Sequence, residues 1–180
     1  TGVEGSRGEN VREVHMKAGE RWNEAKYHEM NVRYQEQVKE QLGKLAKQDK
    51  PFFLQYWPLY PLTGPRTTTE NYTTPNGGIY VEKMKLVDQW IGDMMAEMET
   101  LGIADNTIVV YSTDNGAEKA TWPDGGITPF HGEKGTTWEG GQRVPGIAWW
   151  PGRIPAGTVC SEVTGTIDLL PTIAALSGAP

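Results

Sequence analysis

"VDQWIGDMMAEMETLGIADNTIVVYSTDNG", residues 87–116, decides how this chain is read. Met84 just upstream, then Val87, Ile91, Met94, Met98 and Leu101, recur at alternating steps of three and four. That spacing lines one face of an α-helix, so the methionines read as core packing. The helix is predicted over 79–101, with Gly102 as its C-terminal cap. "TIVVYS" (107–112) follows as a buried strand and stops at Asp114-Asn115-Gly116.

Working outward, "PFFLQYW" (51–57) is a short apolar, aromatic run between lysines and prolines and predicts a second buried strand. Two such strands separated by one helix fit a crossover unit, hence an α/β fold with a largely parallel sheet. Residues 22–48 predict an amphipathic helix, with Tyr34, Val38, Leu42 and Leu45 at helical spacing. Residues 58–78 and 113–143 read as loops, rich in Pro and Thr and in Gly respectively. Strands are predicted at 145–150 and 158–164. A helix is predicted at 168–178, with Pro171 in its first turn and Gly178 at its end. Residues 1–20 are polar and without period, a loop or partly disordered lead. Asn71-Tyr72-Thr73 matches the N-glycosylation pattern, a short match common by chance.

The 180 residues are enough for one domain with a sizeable core. The formal net charge of −6 argues against a general nucleic-acid binder. No apolar stretch approaches the ~18–20 residues that span a bilayer, and "TGVEGSRGEN" opens the chain without the apolar core of a signal peptide. Cys160 is the lone cysteine, which excludes an internal disulfide and a cysteine-rich zinc site. It reads as an ordinary strand residue packed as a small hydrophobe.

Ligands of open α/β sheets sit beyond the carboxyl ends of the strands, where Asp114 and Asn115 lie. As a tripeptide, Asp-Asn-Gly is most simply a turn. The alternative is a carboxylate and an amide oxygen converging on a hard cation such as calcium or magnesium, with further ligands from elsewhere. A second candidate is "HGEKGTTWEGGQRVPG" (131–146). Lys134 stands among glycines that let backbone approach a ligand, and it could hold an anion as a point charge. The plain reading is a solvated lysine. Glu139 and Arg143 read as a pair that pins the loop. His131 is a substrate-binding candidate, although a lone loop histidine more often is neither ligand nor acid. Loops from two strand ends would face each other across one cleft. Cation, lysine and acidic pole together suit an ester of a small oxyanion. Composition and spacing do not choose between phosphate and sulfate.

Four segments in order resemble the sulfatase family, within the alkaline phosphatase-like superfamily. "PFFLQYWPLYPL" is similar to its strand-and-loop segment. "VDQWIGDMMAEMETLGIADNTIVVYSTDNG" resembles its helix-strand-turn ending in Asp-Asn-Gly. "GEKGTTWEGGQRVPGIAWWPGRIPAG" is similar to its Gly-Lys-Gly-Thr segment, and "TIDLLPTIAALSG" to the helix that follows. The resemblance implies a three-layer α/β/α fold, present in part, with 21–180 as a single partial domain after the 1–20 lead. It implies that Asp114 and Asn115 bind a divalent cation, usually calcium. It also implies that Lys134 contacts the substrate sulfate and is the catalytic candidate.

Two departures stand out. The family nucleophile is a formylglycine made from Cys in a Cys-x-Pro-x-Arg motif, and these residues contain no such motif. The paired N-terminal aspartates of the metal site and an N-terminal Lys/His pair have no counterpart either. The family histidine at the end of the first segment falls on Leu62, which can neither donate to nor accept from a sulfate oxygen. The expectation is a portion of a sulfuric ester hydrolase, inactive alone, acting in its complete form on a sulfate ester. It would bind no nucleic acid and would self-associate or depend on further polypeptide. The alternatives are a phosphoric or phosphonic ester hydrolase of the same superfamily and a non-catalytic sulfatase-like binding protein. Many relatives are exported or periplasmic.

Overall fold

The computed structural model describes residues 23–61, 79–119 and 126–178. The 1–20 lead, Leu62 and the Asn71-Tyr72-Thr73 triplet lie outside the described residues.

Helix α1 spans Glu24–Leu45. Asn23 caps it, its side chain accepting from the Lys26 N–H at 3.0 Å, as an N-cap asparagine does. Its buried face runs Tyr27, Asn31, Gln35 and Leu42, whereas Tyr34, expected inside, is 40% exposed. The helix is rotated from the predicted stripe because its inner face has backbone to satisfy. Asn31 is fully buried. Its Oδ1 accepts from the N–H groups of Leu59 and Tyr60, and its Nδ2 donates to the Tyr27 carbonyl. Gln35 Nε2 donates to the Trp90 carbonyl across the helix pair.

Helix α2 spans Ile79–Thr100, close to its predicted range, and Gly102 follows with φ +69°. Val87 and Met98 are buried as the stripe requires, and Trp90 and Lys83 join them. Tyr27, Tyr60, Val87 and Trp90 form one core cluster, in which the Tyr60 and Trp90 rings stack at 5.7 Å. Leu42, Met98 and Ala104 form a second, with Phe52, Leu54, Val109 and Trp149 against it. Burial of each such aliphatic side chain contributes about 1.5–3 kcal/mol. Lys83 is tolerated inside because its Nζ lies 2.5 Å from Glu24 Oε1 and over the Tyr27 and Tyr60 rings. The Glu24 contact is ionic rather than a directed hydrogen bond, for no acceptor is aligned with that ammonium.

Strands β1 (Val109–Ser112) and β2 (Gly146–Trp149) pair antiparallel, Val109 opposite Trp149 and Ser112 opposite Gly146. The expected parallel sheet is not seen among the described residues, which hold this two-stranded pair. Residues 51–57, expected as a buried strand, join no ladder among the described residues. Their side chains alternate: Phe52 and Leu54 turn to the second cluster, while Phe53 and Trp57 are 68% and 69% exposed. A strand buried on both faces needs a neighbour on each side, and none is described. Residues 158–164 form no strand, and Cys160 is exposed rather than packed. Helix α3 is one turn, Glu139–Gln142. Helix α4, Leu169–Ser177, ends at Gly178 with φ +71° as predicted, its apolar residues largely exposed.

Candidate functional site

Because β1 and β2 are antiparallel, the connection from 113 to 145 leaves and returns at one end of the pair. Its two limbs carry the candidate residues Asp114, Asn115 and Lys134. Hydrogen bonds clasp the limbs together. Gly116 N–H donates to the Gly141 carbonyl at 2.9 Å, and Lys134 N–H to the Ala117 carbonyl at 2.9 Å. Lys119 N–H donates to Glu133 Oε2 at 2.8 Å. The approach is close enough that side chains are excluded. A methyl group on Gly116 would collide with the Gly140 carbonyl, and one on Gly141 with the carbonyls of Glu133 and Thr136. Gly132 and Gly135 take φ +86° and +85° on either side of Lys134, a region that favours glycine. Thr136 Oγ1 donates to the Glu133 carbonyl and accepts from the Glu133 N–H, fixing the turn that presents Lys134.

Asp114 and Lys134 are therefore held on adjoining limbs. Asp114 is exposed and makes no hydrogen bond among the described residues. Asn115 is half-buried, and its Nδ2 donates to the Gly116 carbonyl at 2.8 Å, which leaves Oδ1 as a spare acceptor. Lys134 is exposed, and its Nζ lies 3.5 Å from Glu118 Oε2. The His131 ring packs elsewhere than against Asp114, Asn115 or Lys134. That ring meets Trp138 edge-on, centroids 4.7 Å apart, while its carbonyl accepts from Gly140 N–H at 2.7 Å. Arg143 Nε pairs with Glu139 Oε1 at 2.8 Å, the expected pin, and the guanidinium also covers the Phe130 ring.

Sequence reasoning missed Glu118, Glu133 and Thr136. Each is an ordinary polar loop residue by type, and only the folded limbs reveal what it holds. Tyr80, in the first turn of α2, was also unremarked. A methyl group on Gly126 would touch Tyr80 Oη and Ala117 Cβ, so α2 begins against the first limb. Burial pushes the Tyr80 hydroxyl up, with Tyr111 adding to the effect.

The oxygen donors of Asp114 and Asn115 fit a hard divalent cation in chemistry. They fall short in number, because calcium takes about 6–8 oxygens and no cluster of three acidic, histidine or cysteine side chains able to hold a metal occurs among the described residues. The Lys134 ammonium, on the adjoining limb, could offer an anion a point charge.

The sulfatase profile matches residues 11–179. The chain is 35% identical over 153 residues to arylsulfatase A of Homo sapiens, covering 84% of this chain and 30% of that protein. It is 38% identical over 132 residues to N-acetylgalactosamine-6-sulfatase of Canis lupus familiaris, 72% of this chain and 25% of that protein. Among solved structures, Ps i-CgsB in complex with k-i-k-neocarrahexaose superposes with a TM-score of 0.73 at 28% identity, covering 83% of this chain and 34% of that one. The PsFucS1 sulfatase from Pseudoalteromonas sp. gives 0.53 at 35% identity, over 63% and 24%. The chain thus spans about a third or less of the length of these relatives.

Proposed function

The chain belongs to the sulfatase family, and on that premise we propose that it is the portion of a sulfuric ester hydrolase that carries part of the cation and sulfate sites. The observation that supports this reading is the clasp that joins the limb of Asp114 and Asn115 to the limb of Lys134, through the Gly116–Gly141 and Lys134–Ala117 hydrogen bonds. Asp114 and the spare oxygen of Asn115 would hold part of a divalent cation's shell. Bound there, the cation would draw charge from the non-bridging oxygens of a sulfate ester. Lys134 would hold the sulfate or steady the leaving oxygen as charge develops on it. Those roles bind and orient the ester without supplying a nucleophile. With no Cys-x-Pro-x-Arg among its 180 residues, the chain alone turns over no sulfate ester. The complete enzyme would attack through a formylglycine, dividing the hydrolysis into two steps.

The test is an amide NMR titration of the 180-residue protein with calcium and with inorganic sulfate, each to millimolar concentration. Calcium should shift amides at 113–117 and sulfate those at 132–136. Asp114→Ala should remove the first response and Lys134→Met the second. Shifts spread over the surface and unmoved by both substitutions would overturn the assignment.

A further inference from the structure

Glu118 has no part in the reading above, yet its Oε2 stands 3.5 Å from the lysine that would hold the anion. Both side chains are partly exposed, 33% for Glu118 and 44% for Lys134, so as a stabilising pair they contribute little. Nor is the pair needed to fix the loop. Lys134 is already set by its own N–H to Ala117 and by the Glu133–Thr136 turn. The consequence of Glu118 is for what Lys134 can bind. An isolated ammonium attracts a dianion more than a monoanion, because each added charge adds Coulomb attraction. A carboxylate beside it offsets that attraction. Within 113–119 and 131–136 the clasped limbs carry three carboxylates, Asp114, Glu118 and Glu133, against the ammonium groups of Lys119 and Lys134.

We propose that Glu118 is a specificity-determining residue: held against Lys134, its carboxylate disfavours dianionic esters and leaves the lysine suited to monoanionic ones. A sulfate monoester carries one negative charge, whereas a phosphate monoester carries nearly two above pH ~7. An anion in contact with Lys134 Nζ would lie about 6 Å from the Glu118 carboxylate, given ion-pair contacts of about 3 Å. At that distance in water, one extra negative charge is disfavoured about 3-fold, and more where water is partly excluded. The inference rests on Lys134 being the anion-holding residue, and it deepens that reading by choosing between two ester chemistries.

The experiment titrates the 180-residue chain at pH 8 with methyl sulfate and, separately, methyl phosphate. Dissociation constants are read from the Lys134 side-chain and loop amide NMR signals. Replacing Glu118 by Gln should strengthen methyl phosphate binding at least about 3-fold relative to methyl sulfate. Glu118→Asp, which keeps the charge, should hold the original ratio. Amides of α2 and β1 report whether each variant remains folded, and a Glu118→Gln chain that loses those signals is replaced by Glu118→Ser, for which the same shift is expected. An unchanged ratio in the folded, uncharged variant overturns the proposal while leaving Lys134 its role. No binding of either anion to the unaltered chain overturns the Lys134 reading, and this one with it.

Discussion

Gly116 donates its backbone N–H to the Gly141 carbonyl at 2.9 Å, and the gap between the limbs leaves no room for a methyl group. The obstacle at Gly116 is the Gly140 and Gly141 backbone, which cannot rotate aside as a side chain could. Gly116→Ala should therefore destabilise the clasped loop by ~1–3 kcal/mol, the usual range for overpacking. Hydrogen exchange at the Gly116 and Lys134 amides should accelerate accordingly. Gly146→Ala, which meets nothing nearby, should leave those amides protected as before. Equal exchange in both variants would mean that the clasp is not sterically set.

Asn31 is the polar centre of the first core cluster. Its side chain satisfies two N–H groups of the 59–60 segment and one carbonyl of its own helix. Asn31→Ala strands those donors in a buried place, and each such loss costs about 1–3 kcal/mol. Urea unfolding should show a loss in that range or above it. Asn31→Asp keeps the acceptor for Leu59 and Tyr60 but loses the donor to the Tyr27 carbonyl and buries a charge, so it should destabilise as well.

These two sites show what was legible in the sequence. Helix α2, its Gly102 cap, the short strands at 109–112 and 146–149, and the Gly178 end of α4 follow from local rules: apolar period, β-branched runs, left-handed glycine. The Glu139–Arg143 pair was also readable, at a spacing of four. The face of α1 was not, because Asn31 and Gln35 are buried by what they hydrogen-bond, and their partners lie 28 to 55 residues away. The antiparallel pairing of β1 with β2 was not legible, because it depends on the path of a 33-residue connection that carries no period. Asp114, Asn115 and Lys134 were recognisable as types, whereas the contact between their limbs, and Glu118 beside Lys134, required the fold.

Stability should fall steeply in alkali. Burial pushes the Tyr56 hydroxyl up to about 12, and Tyr27 and Tyr60, buried near Glu24, also stand at about 12. An unfolded tyrosine releases its proton near pH 10. Below that pH both states hold the proton and the folded state keeps its full margin. Between about pH 10 and 12 only the unfolded chain gives the proton up, so unfolding gains ground as pH rises. Denaturation midpoints from pH 8 to 12 measure this. Tyr56 Oη is buried without a hydrogen-bond partner among the described residues. Tyr56→Phe should flatten part of the alkaline decline and stabilise the chain at neutral pH by about 1 kcal/mol. A loss of stability at neutral pH would mean that the hydroxyl is satisfied.

Divalent cations should bind weakly. With two protein oxygens of the ~6–8 that calcium prefers, calorimetry on this chain should find no tight site. A submicromolar affinity lost in Asp114→Ala would require ligands beyond Asp114 and Asn115. Incubation with an aryl sulfate and calcium should likewise release no product, and metal-dependent release abolished by Lys134→Ala would contradict the inactivity argued for the isolated chain.

The last expectation concerns assembly. In the β1–β2 pair, Val109, Tyr111, Ile147 and Trp149 share the face toward α2, where with Met84, Val87, Ile91 and Met95 they line an apolar groove of about 330 Å³. Val110 and Ala148 oppose each other on the other face, and Val110 is 48% exposed. Nearby chain adds Phe53 and Trp57 at 68% and 69%, and the C-terminal segment adds Ile167 and Leu170 at 84% and 77%. A two-stranded pair also presents backbone donors and acceptors at its outer edges, which recruit further strands. Apolar patches beyond a few hundred Å² are rare on soluble monomers. The free chain should therefore self-associate. Light scattering after size exclusion should give a mass that rises with concentration. Val110→Lys places a charge on the uncovered face of the pair, without entering the groove, and should shift the population toward monomer. A cooperatively melting monomer at high concentration, unaltered by that substitution, would show that the exposed residues do not drive association.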